Sequence, residues 1–398
     1  MKILYVHQYF TTPEKGGGTR SYYIAKEMLD RGHSVTMITS DLIGKERSRK
    51  SVDGIDVITL PCKYKNSDGS IGRIRSYTLY VIKAIWEILK LPKYDLAFVT
   101  STPLTVGYVA RFCQLFLRLP YVFEVRDLWP EFPIQMGAIK SNLLIKYLRA
   151  FERRIYNNSL GVIALSPGME EGVRKTATKC QNIVMIPNMS KPDIFFPRSY
   201  NEELASENGL KRDAFKIVYF GSLGKANGIE YILKAAHSLY IKKANVQFVF
   251  LGKGIDSSKI EDYIQKHRDS NVLYLGSKNT YITSDLANCC QASITTFIDL
   301  PVLYTNSPNK LFDSLSAGLP IIVNSNGWTR KMVEENECGV YVDPSDPGDL
   351  ARKICELRSD PELCKRFSSN ARALSLSVYD KSKLCTDVVR FIETVAKS

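Results

Sequence analysis

Short apolar runs, each followed by a glycine-containing loop and an amphipathic stretch, recur along almost the whole chain. In the opening segment, Ile3–Val6 and Ser34–Thr39 are apolar runs, Gly16-Gly17-Gly18 is a loop, and Ser21–Arg31 has helical periodicity. Runs of this length are typical of buried strands, and the amphipathic stretches between them are typical of crossover helices. Strands alternating with helices predict a parallel, doubly wound α/β sheet.

The same order restarts near the middle of the chain, at the strand-like run Lys216–Phe220. A chain of 398 residues is long enough for two domains. We predict an N-terminal Rossmann-like domain over 1–195, a C-terminal Rossmann-like domain over 196–375, and a helix within 376–398 that packs back on the N-terminal domain. The polar, proline-containing stretch 187–208 is expected to be the linker. Ligands of such sheets bind at the carboxyl ends of the strands, so we expect the two domains to face each other across a ligand-binding cleft.

The positive charge is concentrated in one half of the chain. Residues 1–198 hold 29 lysines and arginines against 17 acidic residues, a net charge of +12, whereas 199–398 have a net charge of +1. Nucleic acid, an anionic membrane or a phosphate-bearing substrate are the partners that such a charge fits. The predicted helices 71–91 and 139–155 are amphipathic and combine basic residues with aromatic and apolar ones, which favours a membrane surface over nucleic acid. The alternative is an ordinary helix with one face in the core and one in solvent.

The chain has no apolar stretch of the roughly 20 residues that a membrane-spanning helix needs. Its nine cysteines form no C-x-x-C pair, and its four histidines lie far apart in sequence. These patterns argue against a zinc site and a disulfide framework, and they fit a reducing compartment. We therefore predict a cytoplasmic protein attached peripherally to the inner face of the cytoplasmic membrane, with no metal and no cofactor.

Two segments of the N-terminal half are candidates for binding an acceptor. The loop Gly16-Gly17-Gly18-Thr19-Arg20 lets the backbone approach a ligand, precedes a helix whose N-terminus favours an anion, and adds the charge of Arg20. The pair Arg126-Asp127 follows a buried strand and should face the ligand; a structural ion pair is the alternative. His7, after the first strand, is a further candidate.

The C-terminal half supplies candidates for a nucleotide-sugar site. The loop Gly221-Ser222-Leu223-Gly224-Lys225-Ala226-Asn227-Gly228 opens a helix, so its amides and Lys225 suit a diphosphate. Lys310 and Asp313 share one face of a helix that Ser307 or Asn309 could cap. A cation for phosphate and a carboxylate for ribose hydroxyls would form a clamp, although an ordinary ion pair also has this spacing. The remaining donor-site candidates are Gly252, Gly276 and Thr305.

These motifs together resemble family 4 of the retaining glycosyltransferases, which have the GT-B fold. The likeness covers essentially the whole chain and rests on the first glycine loop, Gly32-His33-Ser34-Val35-Thr36, the Gly221 loop, and the segment from Ser307 through Asp313 to Pro320. The string Glu124-Val125-Arg126-Asp127-Leu128-Trp129-Pro130 is similar to the WbuB-like subgroup, fucosaminyltransferases of O-antigen and capsule assembly.

The resemblance implies an activity and two substrates. The donor would be UDP-N-acetyl-L-fucosamine, and the acceptor would be a sugar, GlcNAc by this likeness, on undecaprenyl diphosphate at the inner membrane surface. Transfer would retain the anomeric configuration through an oxocarbenium-like state, with Lys225 and Lys310 stabilising the departing diphosphate. Asp127 and Arg126 would be the catalytic residues, with Asp127 either orienting the acceptor or stabilising the positive ring. Nucleic acid is not expected as a partner.

The chain departs from the family pattern at four positions. Thr305 and Asp313 stand where the family usually has two glutamates, and Ser222 and Asn227 stand where it has a diphosphate-binding arginine and lysine. Two other functions are alternatives. One is a UDP-sugar 2-epimerase, which has a similar fold, and the other is a non-catalytic protein that binds nucleotide sugars or nucleic acid. An epimerase needs no acceptor, which would leave the basic amphipathic helices without a role.

Overall fold

The computed structural model describes residues 1–44, 46–63, 69–267 and 269–397. These residues form two compact units. The first consists of Met1–Thr12, Gly18–Pro187 and the C-terminal residues from Ser382 onward. The second consists of Pro13–Gly17 and Asn188–Lys381. Each unit is an α/β domain built on its own sheet.

The first unit has an eight-stranded sheet in the order β3-β4-β2-β1-β5-β6-β7-β8, in which only β3 and β4 pair antiparallel. Its strands are β1 (Lys2–His7), β2 (Ser34–Asp41), β3 (Ser48–Val52), β4 (Ile55–Pro61), β5 (Leu96–Thr100), β6 (Tyr121–Val125), β7 (Gly161–Ala164) and β8 (Ile183–Met185). Its helices are α1 (Arg20–Asp30), α2 (Gly69–Ile88), α3 (Val106–Leu117), α4 (Glu131–Gln135), α5 (Asn142–Asn157), α6 (Pro167–Thr176) and α15 (Lys381–Lys397).

Alternate strand residues divide the core of the first unit between the two faces of its sheet. On one face, strand residues such as Val6 and Phe123 pack with buried residues of α2, α3, α5 and α6 in one continuous cluster. Neighbouring residues such as Tyr5 and Phe98 point to the other face, where their rings lie 4.6 Å apart. α15 packs beside α1, because Glu27 accepts a hydrogen bond from Thr386 at 2.8 Å.

The second unit has a six-stranded, fully parallel sheet in the order β11-β10-β9-β12-β13-β14. Its strands are β9 (Phe215–Ser222), β10 (Val246–Lys253), β11 (Val272–Tyr274), β12 (Ala292–Thr295), β13 (Ile321–Val323) and β14 (Gly339–Tyr341). Its helices are α7 (Glu202–Glu207), α8 (Ile229–Ile241), α9 (Ser257–Lys266), α10 (Thr280–Ala287), α11 (Asn309–Ser316), α12 (Trp328–Glu335), α13 (Pro347–Ser359) and α14 (Pro361–Ser377). Short 3-10 turns occupy Lys225–Asn227 and Pro301–Thr305.

The stretch expected to be a linker is instead part of the second unit. Ile194, Phe195 and Ala205 are buried in one cluster with residues of β9 and β10, such as Phe220. The Phe195 and Phe220 rings stack with their centroids 5.8 Å apart. The polar composition of this stretch obscured three apolar side chains that anchor it to the sheet.

Among the described residues, no helix combines the length and the apolar character needed to cross a membrane.

Candidate donor and acceptor sites

At the carboxyl edge of the first sheet, three strand ends are joined by hydrogen bonds. His7 ends β1, Ser101 follows β5, and Arg126 follows β6. The Arg126 backbone amide donates to Ser101 Oγ at 3.0 Å, and its guanidinium Nη1 donates to His7 Nε2 at 3.3 Å. Because Nε2 accepts, the His7 proton lies on Nδ1, 2.8 Å from Ser21 Oγ. Burial, together with the charge of Arg126, lowers the pKa of His7 well below its usual value.

Asp127 lies half-buried beside this network. Burial raises the pKa of its carboxyl group to about 6, and the charge of Arg126 opposes that rise. Within the described part of the chain, no group donates a hydrogen bond to this carboxylate. A partly desolvated carboxylate without a protein donor can accept a hydrogen bond from a ligand hydroxyl. Arg126 thus links the ends of β1, β5 and β6, and the predicted catalytic role of Asp127 stays a prediction.

Arg20 occupies a different environment from the one expected of a phosphate-binding residue. Its side chain is buried, and Nε donates to the buried Glu124 carboxylate at 2.8 Å. The other guanidinium nitrogens donate to the backbone carbonyls of Ile186 and Pro187. Arg20 is 2% exposed, and its guanidinium is hydrogen-bonded within its own unit. In this structure Arg20 therefore has a structural role and not the phosphate contact that the sequence predicted.

The glycine loop before α1 is divided between the two units. Gly16 and Gly17 belong to the second unit, and Gly18 belongs to the first. Thr280 Oγ1 donates to the Pro13 carbonyl at 3.0 Å, and a Cβ on Gly16 would lie 3.2 Å from the same hydroxyl oxygen. The close approach to Thr280 accounts for a glycine at position 16. Its predicted contact with an acceptor stays a prediction.

At the carboxyl edge of the second sheet, β9 and β10 pair to the ends of both strands, where Lys253 is opposite Ser222. Gly252 is opposite Gly221, and a Cβ on Gly252 would lie 1.8 Å from the Gly221 carbonyl oxygen. Gly252 also has φ of 150°, and its amide donates to the Gly276 carbonyl at 2.7 Å. Only glycine fits where β10 approaches β9 this closely. Gly221 and Ser222 are exposed at the strand end.

Lys310 from α11 reaches the Gly221 loop. Its half-buried ammonium group lies 3.8 Å from the Tyr219 ring centroid and donates to the Tyr219 hydroxyl and, at 3.3 Å, to Asn227 Oδ1. The Tyr219 hydroxyl in turn donates to the Ser222 carbonyl at 2.6 Å. Burial lowers the pKa of Lys310 to about 7. The structure therefore brings Lys310 together with Asn227 and the Gly221 loop; the sequence did not reveal Tyr219, which bonds both Lys310 and Ser222.

The predicted side-chain cap of α11 is wrong. The helix begins at Asn309 with Pro308 at the N-cap, and none of the described side chains caps it. The Ser307 hydroxyl instead accepts a hydrogen bond from the Asn188 backbone amide at 3.2 Å. Nearby, the Thr305 hydroxyl donates to the Val302 carbonyl at 2.8 Å. An uncapped helix start next to Lys310 is a favourable place for an anion.

Asp313 is buried and paired within the second unit. Lys191 Nζ lies 2.9 Å from its Oδ1 and 3.1 Å from its Oδ2. Burial raises the pKa of Asp313, and Lys191 opposes that rise. Lys191 was not predicted, because its contact depends on the packing of 188–191 along α11, where Ser190 Oγ also donates to the Phe312 carbonyl. The expected contact between Asp313 and ribose stays a prediction.

The other predicted donor-site residues lie around the same sheet edge. Lys225 is exposed in the 3-10 turn Lys225–Asn227, one turn before α8. Gly276 follows β11 and is joined to Gly252 by the hydrogen bond above. In the described ranges, no group of three or more histidine, cysteine, aspartate or glutamate residues is placed to hold a metal ion.

Comparison with known families matches both halves of the chain. The family described as glycosyl transferase 4-like domain matches residues 15–189, and the family described as glycosyl transferases group 1 matches residues 201–374. A probable glycosyltransferase WbjE of Pseudomonas aeruginosa is 27% identical over 254 residues, which cover 61% of this chain and 61% of that protein. The match to this curated relative is thus shorter than two thirds of its length.

Solved structures share the fold over the whole chain. Sucrose-phosphate synthase from Thermosynechococcus elongatus superposes with a TM-score of 0.80 at 16% identity, covering 100% of both chains. Anabaena Alr3699/HepE, in complex with UDP and glucose, superposes with a TM-score of 0.73 at 17% identity, covering 99% of this chain and 100% of the other. At these identities the likeness establishes the fold, which is GT-B with two Rossmann-like domains.

Proposed function

Because this chain belongs to the GT-B glycosyltransferases that join a glycosyl transferase 4-like domain to a group 1 domain, we propose that it transfers a sugar from a UDP-sugar with retention of configuration. The observation that carries the proposal is the Lys310 ammonium held between Tyr219 and Asn227 beside the exposed Gly221 loop. Family membership favours a transferase over the epimerase and the non-catalytic binding protein.

The second unit supplies the donor site in this proposal. The diphosphate lies against the exposed residues Gly221 and Ser222 and the uncapped start of α11, with Lys310 as its principal cation and Lys225 as a second one. Backbone amides, a helix start and an ammonium group are the donors that a diphosphate needs. In UDP-sugar transfer these groups act most strongly on the charge that develops on the leaving diphosphate.

The reaction breaks the bond between the sugar C1 and the β-phosphate oxygen and forms a bond between C1 and the acceptor oxygen. The electron pair of the broken bond stays on the diphosphate, and the acceptor hydroxyl loses its proton to the departing phosphate oxygen. The sugar passes through an oxocarbenium-like state. Asp127, in its half-buried position, accepts a hydrogen bond from a second hydroxyl of the acceptor and so orients the attacking hydroxyl.

The substrates named by the sequence resemblance complete the proposal. The donor is a UDP-linked 2-acetamido-6-deoxy sugar, with UDP-N-acetyl-L-fucosamine as the first candidate, and the acceptor is a sugar on undecaprenyl diphosphate. Support for an anionic lipid acceptor comes from the net charge of +12 within residues 1–198. This chemistry would place the enzyme at the inner membrane surface in O-antigen or capsule assembly.

The decisive experiment measures UDP release from a panel of UDP-sugars, with and without a short-chain GlcNAc-diphosphate-lipid. Acceptor-dependent release from a single 2-acetamido-6-deoxy donor, with a glycosylated lipid recovered in equal amount, is the expected result. The configuration of the new linkage, determined by NMR, tests retention.

Two results would contradict the proposal in different ways. Release from UDP-glucose but not from the 2-acetamido-6-deoxy donor would support the transferase activity and contradict the proposed donor sugar. No release from any UDP-sugar by a folded chain that also fails to bind UDP would overturn the UDP assignment.

A further inference from the structure

The outward face of α2 carries four exposed apolar side chains, with one exposed polar residue, Thr78, on the same stripe between Ile74 and Ile82. Ile74, Ile82, Trp86 and Leu89, the last just beyond the helix, are between 54% and 65% exposed. Their spacing of three, four or eight residues places them on one stripe. The opposite face is anchored to the sheet, since the Tyr80 hydroxyl donates to a strand carbonyl at 2.8 Å. The orientation of α2 is therefore fixed, and its apolar stripe faces outward.

The two helices that follow in the same layer also expose apolar side chains. α3 ends in Leu115, Phe116 and Leu117, of which Phe116 is 73% exposed. α5 begins with Leu143, which is 80% exposed. α2, α3 and α5 pack on the same face of the first sheet through one continuous core cluster. Their exposed apolar residues thus belong to one layer of the molecule, which we call the α2–α3–α5 face.

The charges on the α2–α3–α5 face have one sign. On the described side chains of these helices the only carboxylates, Glu87 and Glu152, are buried. Among the described residues, the exposed charged side chains of these helices and of the positions just beyond them are all basic: Arg73, Arg75, Lys90, Arg118, Lys146, Arg149, Arg153 and Arg154. One of them, Arg149, is paired with the half-exposed Glu131 of α4. The neighbouring α6 differs, because it carries Glu170 and Glu171 on its surface, paired with basic residues.

We propose that the α2–α3–α5 face docks on an anionic phospholipid bilayer, with Trp86, Phe116 and Leu143 entering the interface and the basic residues contacting headgroups. Apolar side chains interspersed with basic ones are what an anionic interface binds, whereas a protein partner would have to supply every acidic group itself. This inference deepens the proposed function by naming the surface that holds the enzyme where its lipid acceptor lies.

The test uses the full chain and vesicles without any polyprenyl lipid, so that substrate binding cannot contribute. Sedimentation with phosphatidylcholine vesicles is compared with vesicles containing about one quarter phosphatidylglycerol. We expect binding only to the anionic vesicles, weakened at about 0.5 M salt, where charges are strongly screened. The fluorescence of the exposed Trp86 should shift to shorter wavelength on binding, and a Trp86→Phe variant should lose that shift.

Two variants distinguish binding through the α2–α3–α5 face from nonspecific adsorption of the chain to vesicles. Phe116→Ser combined with Leu143→Ser should weaken vesicle binding about tenfold or more, because two large apolar contacts are lost. Ile241→Ser removes an equally accessible side chain, 65% exposed on α8 of the second unit, and should change binding little. Unchanged melting temperatures would show that each variant folds.

Three outcomes would overturn the proposal. They are no binding to anionic vesicles at low salt, equal losses in the double variant and in Ile241→Ser, and a concentration-dependent dimer that the double variant abolishes while vesicles stay unbound. Vesicle binding without UDP release would instead leave the docking face standing and contradict the proposed reaction.

Discussion

The Lys310 ammonium group lies 3.8 Å from the ring centroid of Tyr219 and donates a hydrogen bond to the hydroxyl of that ring. Through this tyrosine, which itself donates to the Ser222 carbonyl, a helix residue fixes the loop at the end of β9. One side chain therefore has two roles at the proposed donor site: it carries positive charge, and it holds the exposed Gly221 loop.

Replacing Lys310 with methionine should weaken UDP binding by roughly ten- to a hundredfold, because a charged hydrogen bond to phosphate contributes about 1.5–3 kcal/mol. Titration calorimetry with UDP measures the effect. Lys225→Met is the matched control, since Lys225 is exposed and should contribute less. A loss in Lys225→Met equal to or larger than that in Lys310→Met would contradict the role given to Lys310.

The affinity for UDP should fall as the pH rises above about 7. Burial lowers the pKa of Lys310 to about 7 in the ligand-free chain, and a bound diphosphate favours the charged ammonium, so binding takes up a proton in this range. The loss should approach about tenfold per pH unit above the free pKa. Calorimetry in two buffers of different ionisation enthalpy counts the proton. The Lys310→Met variant should show no such uptake, and uptake that persists in it would assign the proton to another group.

Asp127→Asn should lower turnover by about a hundredfold if its carboxylate orients the acceptor hydroxyl. Burial raises the pKa of Asp127 to about 6, so the ionised form, and with it the rate, should grow as the pH rises through about 6. The asparagine variant should lose this rise while binding UDP normally. Glu131→Gln, on the neighbouring α4, serves as the control and should keep both the rate and its pH profile.

Gly252→Ala should abolish UDP binding, whereas Gly276→Ala should not. A Cβ on Gly252 would lie 1.8 Å from the Gly221 carbonyl oxygen, so the ends of β9 and β10 would have to separate. At Gly276 no atom lies within 4 Å of the added Cβ, and the only cost is a φ of 66°, about 1 kcal/mol. Calorimetry and thermal melting measure both variants. Equal losses of UDP affinity in the two variants would contradict the idea that the close approach of Gly252 to Gly221 sets the loop geometry.

Arg20→Met should lower the free energy of unfolding by about 3–5 kcal/mol, because Glu124 would be left buried without its partner. The exposed pair of Arg174 and Glu170 gives the control: Arg174→Met should cost less than about 1 kcal/mol. Urea unfolding followed by circular dichroism compares the two. A normally stable Arg20→Met that loses only activity would restore the ligand-binding role that the sequence suggested.

The regular elements could be predicted because their signals are local. The helix predicted at 139–155 is α5 (Asn142–Asn157), and the strand predicted at Ser34–Thr39 lies within β2 (Ser34–Asp41), since apolar runs and periodicity lie within each segment. β3 was missed because Ser48–Val52 is a polar, mostly exposed strand that pairs antiparallel at the sheet edge. Such a strand carries no continuous apolar run.

The site residues that escaped prediction depend on contacts between distant parts of the chain. Arg20 meets Glu124 and the Ile186 carbonyl, more than a hundred positions away, so its burial could not be read from the glycine loop beside it. Lys191 meets Asp313 in the same way. Lys310 could be predicted because it starts a helix next to a turn motif, but its partner Tyr219 looks in the sequence like any other residue of a buried strand.

The first unit contains α15, so its core includes residues that are made only after the second unit. Leu384, Val388 and Ile392 are buried there, and a Cβ on Gly161 would meet the Phe391 ring at 2.6 Å. On the ribosome, the nascent first unit therefore cannot complete its core while the second unit is translated, and the residues that α15 covers stay exposed during that time. The second unit, by contrast, can close as soon as Lys381 has left the exit tunnel, so the later half of the chain can reach its final fold before the earlier one.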